Sequence, residues 1–159
     1  MHARAARFAA LYALMRAAAD LGDHWIQSDH CARTKGATNA APVTADDGTT
    51  HGTAAGRKAC AWHCTTYTAT QVAALLIGSR VLGLRLHPGA TAAALAVSGL
   101  THYAADRRVP GGLLQRVADA TGKGNFYRLA GHGMNGSYAL DQAWHHTCET
   151  VAALIAATK

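Results

Sequence analysis

The sequence predicts an all-α protein, an antiparallel four-helix bundle forming a single domain over 1–159. Three observations predict it. Half of the 159 residues are hydrophobic, alanine dominates, and only 15% are charged, well under the usual quarter. The apolar segments are long and are separated by clusters rich in Gly, Pro and Thr, which break helices. No run alternates apolar and polar residues over a useful strand length, and no internal repeat is present.

The first helix is expected from Ala5 to about His30. Arg4 and Arg7 ahead of the apolar run Phe8 to Met15 faintly resemble a signal peptide, but Arg16 interrupts that run, so the segment is kept as helix. Residues 36–56, with Pro42, read as a long flexible loop. The second helix is expected over Arg57 to Leu84. Pro88 is placed to open the third, which runs to about Arg108 before Val109-Pro110-Gly111-Gly112. A short amphipathic helix, Leu113 to Ala120, is expected inside a basic loop over 109–136 that passes Gly122, Gly131, Gly133 and Gly136. The fourth long helix spans Tyr138 to about Ala157.

The net charge of +6 favours anionic partners. There is no CxxC among the four cysteines, so small, buried, reduced side chains are expected. Ala59 to Ser79 and Leu86 to Ala105 carry no charged residue and are about as long as a bilayer requires. They are also rich in Ala and Thr, so a membrane-embedded bundle and a water-soluble one both fit.

The polar residues of these helices are patterned. Asp23 with Gln27, His102 with Asp106, and Asp141 with His145 are spaced i, i+4, which on a helix puts both members on one face about 6 Å apart along the axis. Antiparallel packing brings these pairs and His63 to the same end of the bundle. Helix direction then sorts them. Asp23, His63, His102 and His145 form a deep layer, beneath a rim of Gln27, Asp106 and Asp141.

Three imidazoles and a carboxylate suit a divalent zinc, manganese or iron ion. Asp23, His63, His102 and His145 are therefore the expected metal ligands. Asp106 and Asp141 are the expected catalytic carboxylates, activating water. Arg107, Arg108 and Lys123 lie in the basic loop at the same mouth and are placed to hold an anionic substrate. Each pair alone reads equally as a cap or a core hydrogen bond, and their weight comes from three of only nine acids falling here. Trp25, Trp62 and Trp144 adjoin the polar residues and read first as core, otherwise as walls of the site or a membrane interface.

The ordered set Gly22-Asp23-His24-Trp25-Ile26-Gln27-Ser28-Asp29, Lys35, His63, His102-Tyr103-Ala104-Ala105-Asp106-Arg107 and Asp141-Gln142-Ala143-Trp144-His145 resembles the bacterial domain-of-unknown-function 3307 family. Residues Ala120 to Arg128 resemble its actinobacterial branch. The likeness covers nearly the whole chain apart from 36–56. It implies a small multi-helix protein, usually membrane-embedded, and so a bacterial inner-membrane location with the more basic mouth toward the cytoplasm; a cytoplasmic bundle is the alternative. The family pattern carries His just before the first Asp motif, where this chain has Ala19-Asp20. Asp20 is therefore expected, with Gln27 and Gln142, to support the ligands, and one metal is expected rather than two.

The function expected is a metal-dependent hydrolase acting on an anionic small molecule or lipid headgroup. The alternatives are a non-enzymatic membrane protein that handles metal or protons or serves as an assembly partner, and a soluble nucleic-acid-binding regulator. No helix-turn-helix pattern and no aromatic-basic platform support the last.

Overall fold

A computed structural model describes residues 2–129 and 135–158. Gly131, Gly133 and His132, assigned above to a loop, lie outside the described residues. The described residues are predominantly helical. In chain order they form α1 (His2–Leu21), a π-helical turn (Gly22–Ile26), α2 (Asp29–Thr34), β1 (Val43–Thr44), β2 (Thr50–His51), α3 (Thr53–Val81), α4 (Pro88–Asp106), α5 (Leu113–Ala120), α6 (Gly124–Tyr127) and α7 (Gly136–Ala156).

The single first helix expected from the sequence is in fact divided. Gln27 N–H donates to the Gly22 carbonyl at 3.0 Å, an i→i+5 bond that widens the turn. One added residue rotates the following chain by about 100°. Gly22 packs closely here: a Cβ on it would stand 3.1 Å from the Tyr67 ring and 3.2 Å from the Tyr67 Cα, tighter than most such contacts. Asp23 and Gln27 therefore do not share a helical face, since Gln27 has already left helical geometry with ψ 125°.

The loop expected over 36–56 also carries structure. β1 and β2 pair antiparallel, Val43 opposite His51 and Thr44 opposite Thr50. Asp47 Oδ1 accepts the Thr49 N–H at 2.9 Å, and that bond holds the Asp47 carboxyl below its usual range. Asn39 and Thr53 exchange hydrogen bonds at 2.9 Å each, which caps the start of α3.

The chain divides into two compact units. The first comprises Met1–Ser28, His63–Thr101 and His146–Lys159; the second comprises Asp29–Trp62 and His102–His145. The core of the first gathers Leu11 and Met15 from α1, Leu75 from α3, Ala94 from α4, and Ala152, Ala153 and Ala156 from α7. Alanine buries little area, so the few large side chains carry most of this core. Truncating one such as Leu75 costs about 2–5 kcal/mol.

No helix among the described residues is long and apolar enough to cross a membrane. The abundance of Ala and Thr noted in the sequence keeps these charge-free stretches from being strongly apolar. Trp25 and Trp62 are exposed rather than core.

Candidate metal centre

Among the described residues, each unit holds a buried polar cluster. That of the second unit is built on the end of α4 and the start of α7. His102 and Asp106 lie one turn apart on α4, with His102 Nε2 3.5 Å from Asp106 Oδ2. Asp141 and His145 lie one turn apart on α7, with His145 Nε2 3.4 Å from Asp141 Oδ1. The two imidazoles stack at 4.3 Å between centroids. All four side chains are at most 2% exposed.

Two cations meet the two carboxylates. Lys35, itself buried, donates from Nζ to Asp106 Oδ2 at 2.6 Å. Arg108 donates from Nη2 to Asp141 Oδ2 at 2.5 Å, and its Nε lies 3.7 Å from Asp106 Oδ1. Arg108 has φ 32°, a left-handed conformation that costs a non-glycine residue about 1 kcal/mol and that tends to persist where surrounding contacts impose it.

Arg107 has a different task. Its guanidinium donates to the carbonyls of Lys35 and Ala37, holding the segment that carries Lys35. Gly56 makes room for this clamp, because a Cβ there would run into the Ala37 carbonyl. Lys123 is exposed at the turn before α6.

One donor of each of Asp106, Asp141 and His145 falls within 4.8 Å of the others, and all three residues are buried. Asp141 Oδ1 and His145 Nε2 are buried without a hydrogen-bond partner. Burying such atoms unsatisfied costs about 1–3 kcal/mol each. The two atoms lie 3.4 Å apart, and a cation bound between them would satisfy both. These residues can therefore hold a divalent metal ion, and the hard carboxylates with an imidazole suit zinc, manganese or iron.

The cluster of the first unit is different. Asp23 Oδ1 lies 3.1 Å from His63 Nε2, so the Asp23 and His63 singled out from the sequence pair with each other. Further into this unit, Arg16 pairs with both Glu149 and Asp20. Tyr67 donates to Glu149 Oε1 at 2.8 Å, and Gln71 Nε2 donates to the Tyr67 oxygen at 3.3 Å. Burial, and then the Glu149 charge, push the Tyr67 hydroxyl well above its usual range. Burial depresses the Arg16 guanidinium, but Glu149 and Asp20 more than reverse this and leave it raised. Asp20 is half exposed and serves this ion pair. Gln27 and Gln142 are partly buried.

Sequence reasoning gave no role to Lys35 or to the Arg16–Glu149–Tyr67 network. Glu149 carried a signal. It is the sole acid after Asp141, four residues beyond His145 in an Ala-rich helix, where a charge has to be paired. Lys35 stood out only as a member of the family-like motif set, and no local pattern pointed it at Asp106, 71 positions away. No family model, curated protein or solved structure matches this chain.

Proposed function

We infer that the second unit holds one divalent metal ion and that the protein is a metal-dependent hydrolase of an anionic substrate. The observation that carries this is the pair of unpartnered buried donors, Asp141 Oδ1 and His145 Nε2, converging with the Asp106 carboxylate. His145, Asp141 and Asp106 hold the ion, and His102 stacks on His145 to fix its plane. Such an ion supplies Lewis acidity for attack of water on phosphorus or a carbonyl carbon. Within the chain, whichever carboxylate oxygen of Asp106 or Asp141 stays off the ion would accept the proton of that water, and the partly exposed Arg108 would receive negative charge.

Elemental analysis of purified protein tests this. One equivalent of metal is expected, lost in His145→Ala. Metal-free protein that takes up no zinc, manganese or iron would overturn the reading. The sequence-derived ligand set adds Asp23 and His63, and metal content of His63→Ala tests that addition.

The burial of all four side chains to 2% or less favours a second reading, a centre that holds or passes a metal without turning over a substrate. Loaded protein that hydrolyses no phosphoester or carboxylic ester, yet exchanges its metal, selects it. The antiparallel four-helix arrangement belongs to this proposal and is supported by the shared core of α1, α3, α4 and α7 in the first unit. Association with a lipid surface is supported by an apolar groove of that unit lined by Leu14, Leu21, Ile77 and Leu82.

A further inference from the structure

We propose that the metal centre is also an oxyanion site in which metal and a tetrahedral oxyanion bind with positive coupling, switched by Lys35 and Arg108. The proposal rests on the metal reading above. Its starting point is the charge balance of the second unit's cluster. Two carboxylates, Asp106 and Asp141, are matched by two cations, Lys35 at 2.6 Å and Arg108 at 2.5 Å. Lys35 and Asp106 are both almost wholly buried. These four side chains carry no net charge between them.

A dication added to this set creates an excess of two positive charges among buried groups. The carboxylates cannot serve both partners fully. As they turn toward the metal, the ammonium of Lys35 and the guanidinium of Arg108 lose their counter-charge. Lys35, which is buried, then needs an acceptor, since a buried cation without a counter-charge is costly, and the fork of Arg108 can bind the same acceptor. A tetrahedral oxyanion meets the need of all three at once, because its oxygens can accept from Lys35, accept from the planar fork of Arg108, and face the metal.

The geometry supports that exchange. Arg108 is 42% exposed along its side chain while its head contacts both carboxylates, so it joins the solvent to the cluster. Its left-handed backbone, φ 32°, holds the head over Asp106 and Asp141. Arg107 pins the Lys35 and Ala37 carbonyls, which fixes the backbone of Lys35 and leaves only its flexible stem to move. Arg107 is thus a positioning residue, while Lys35 and Arg108 are the anion-contacting groups.

Coupling is reciprocal. If oxyanion raises metal affinity by a factor, metal raises oxyanion affinity by the same factor. The experiment is a zinc titration of the intact protein against a competing chelator, at constant ionic strength, with and without sulfate. Sulfate is chosen as a soluble tetrahedral dianion. Zinc affinity is expected to rise about tenfold in sulfate. In Lys35→Met it is expected to rise without sulfate, because a rival cation is gone, and sulfate is expected to shift it less than twofold. A residue that merely supports the fold would lower metal affinity instead.

Should Lys35→Met fail to fold, Arg108→Gln at the exposed mouth carries the same expectation with milder cost. Anionic phosphatidylglycerol vesicles at equal phosphate separate the sources. Coupling with sulfate alone assigns a free oxyanion, and coupling with vesicles alone assigns a headgroup. Zinc binding unchanged by either, or coupling preserved in both variants, overturns the proposal. Failure to bind zinc at all removes the metal reading beneath it, a distinct result.

Discussion

The two buried clusters spend similar chemistry in opposite ways. In the first unit Glu149 has both carboxylate oxygens engaged, by Arg16 and by Tyr67, inside a core of leucine, methionine and alanine. In the second unit Asp141 gives one oxygen to Arg108 and keeps the other without a hydrogen bond, facing an equally unpartnered His145 nitrogen. Saturated donors in an apolar core hold helices together. Unsaturated donors that converge leave a place for a cation. The difference shows that burial of a carboxylate says little about its role until every lone pair is traced.

The largest expected effect lies in the first unit. Arg16→Met leaves the Glu149 carboxylate buried without the guanidinium that pairs with it, and breaking a buried pair this way costs about 3 kcal/mol. Urea unfolding of the metal-free protein should show that loss, with zinc affinity unchanged. A comparable fall in zinc affinity would erase the contrast between the clusters.

Asp141→Asn should do the reverse. Groups that only orient a ligand already account for about 10–100-fold in metal affinity, so loss of a ligating charge is expected to cost at least about a hundredfold. Stability should change little, because the released partner, Arg108, reaches solvent. Isothermal titration paired with thermal unfolding reads both.

Tyr67 gives a smaller, pH-dependent effect. Its pKa is raised in the folded state above the ordinary value of 10.0, so the fold favours the protonated form. The associated stability is fully present below that ordinary value and declines as pH rises beyond it. Tyr67→Phe should lose about 1 kcal/mol at neutral pH and should lack this alkaline decline. Parallel alkaline curves for both proteins would show that the hydroxyl is not held as described.

The smallest effect isolates strain in the second unit. Arg108→Gly and Arg108→Ala remove the same ion pairs, but only glycine accepts φ 32° freely. The glycine variant should be more stable by about 1 kcal/mol. Equal stability would mean that the loop relaxes once the carboxylate contacts are gone.

Much of the architecture was legible in the chain. Gly and Pro clusters mark the ends of α3, α4 and α5 to within a few residues, because backbone limits at those residues are local. The pairs His102–Asp106 and Asp141–His145 were legible for the same reason, since an i, i+4 spacing fixes a shared face once a helix exists. The pair Asp23–Gln27 was not, because packing of Gly22 on Tyr67 and the wide turn behind it depend on a residue 45 positions away. The hairpin of β1 and β2 was hidden by its length, two residues per strand, too short for any alternation to register.

What the sequence determined by itself was the helical class, the approximate ends of α3, α4, α5 and α7 and the intrahelical His/Asp pairs on α4 and α7, all set by interactions within a few residues along the chain. What only the tertiary structure decided was the partnering: Lys35 on Asp106, Arg108 on Asp141, His63 on Asp23, and Arg16 with Tyr67 on Glu149. These contacts join residues far apart in the chain, and their energies depend on burial that no local pattern encodes. The same physics sets which carboxylate is saturated and which is left open for a metal.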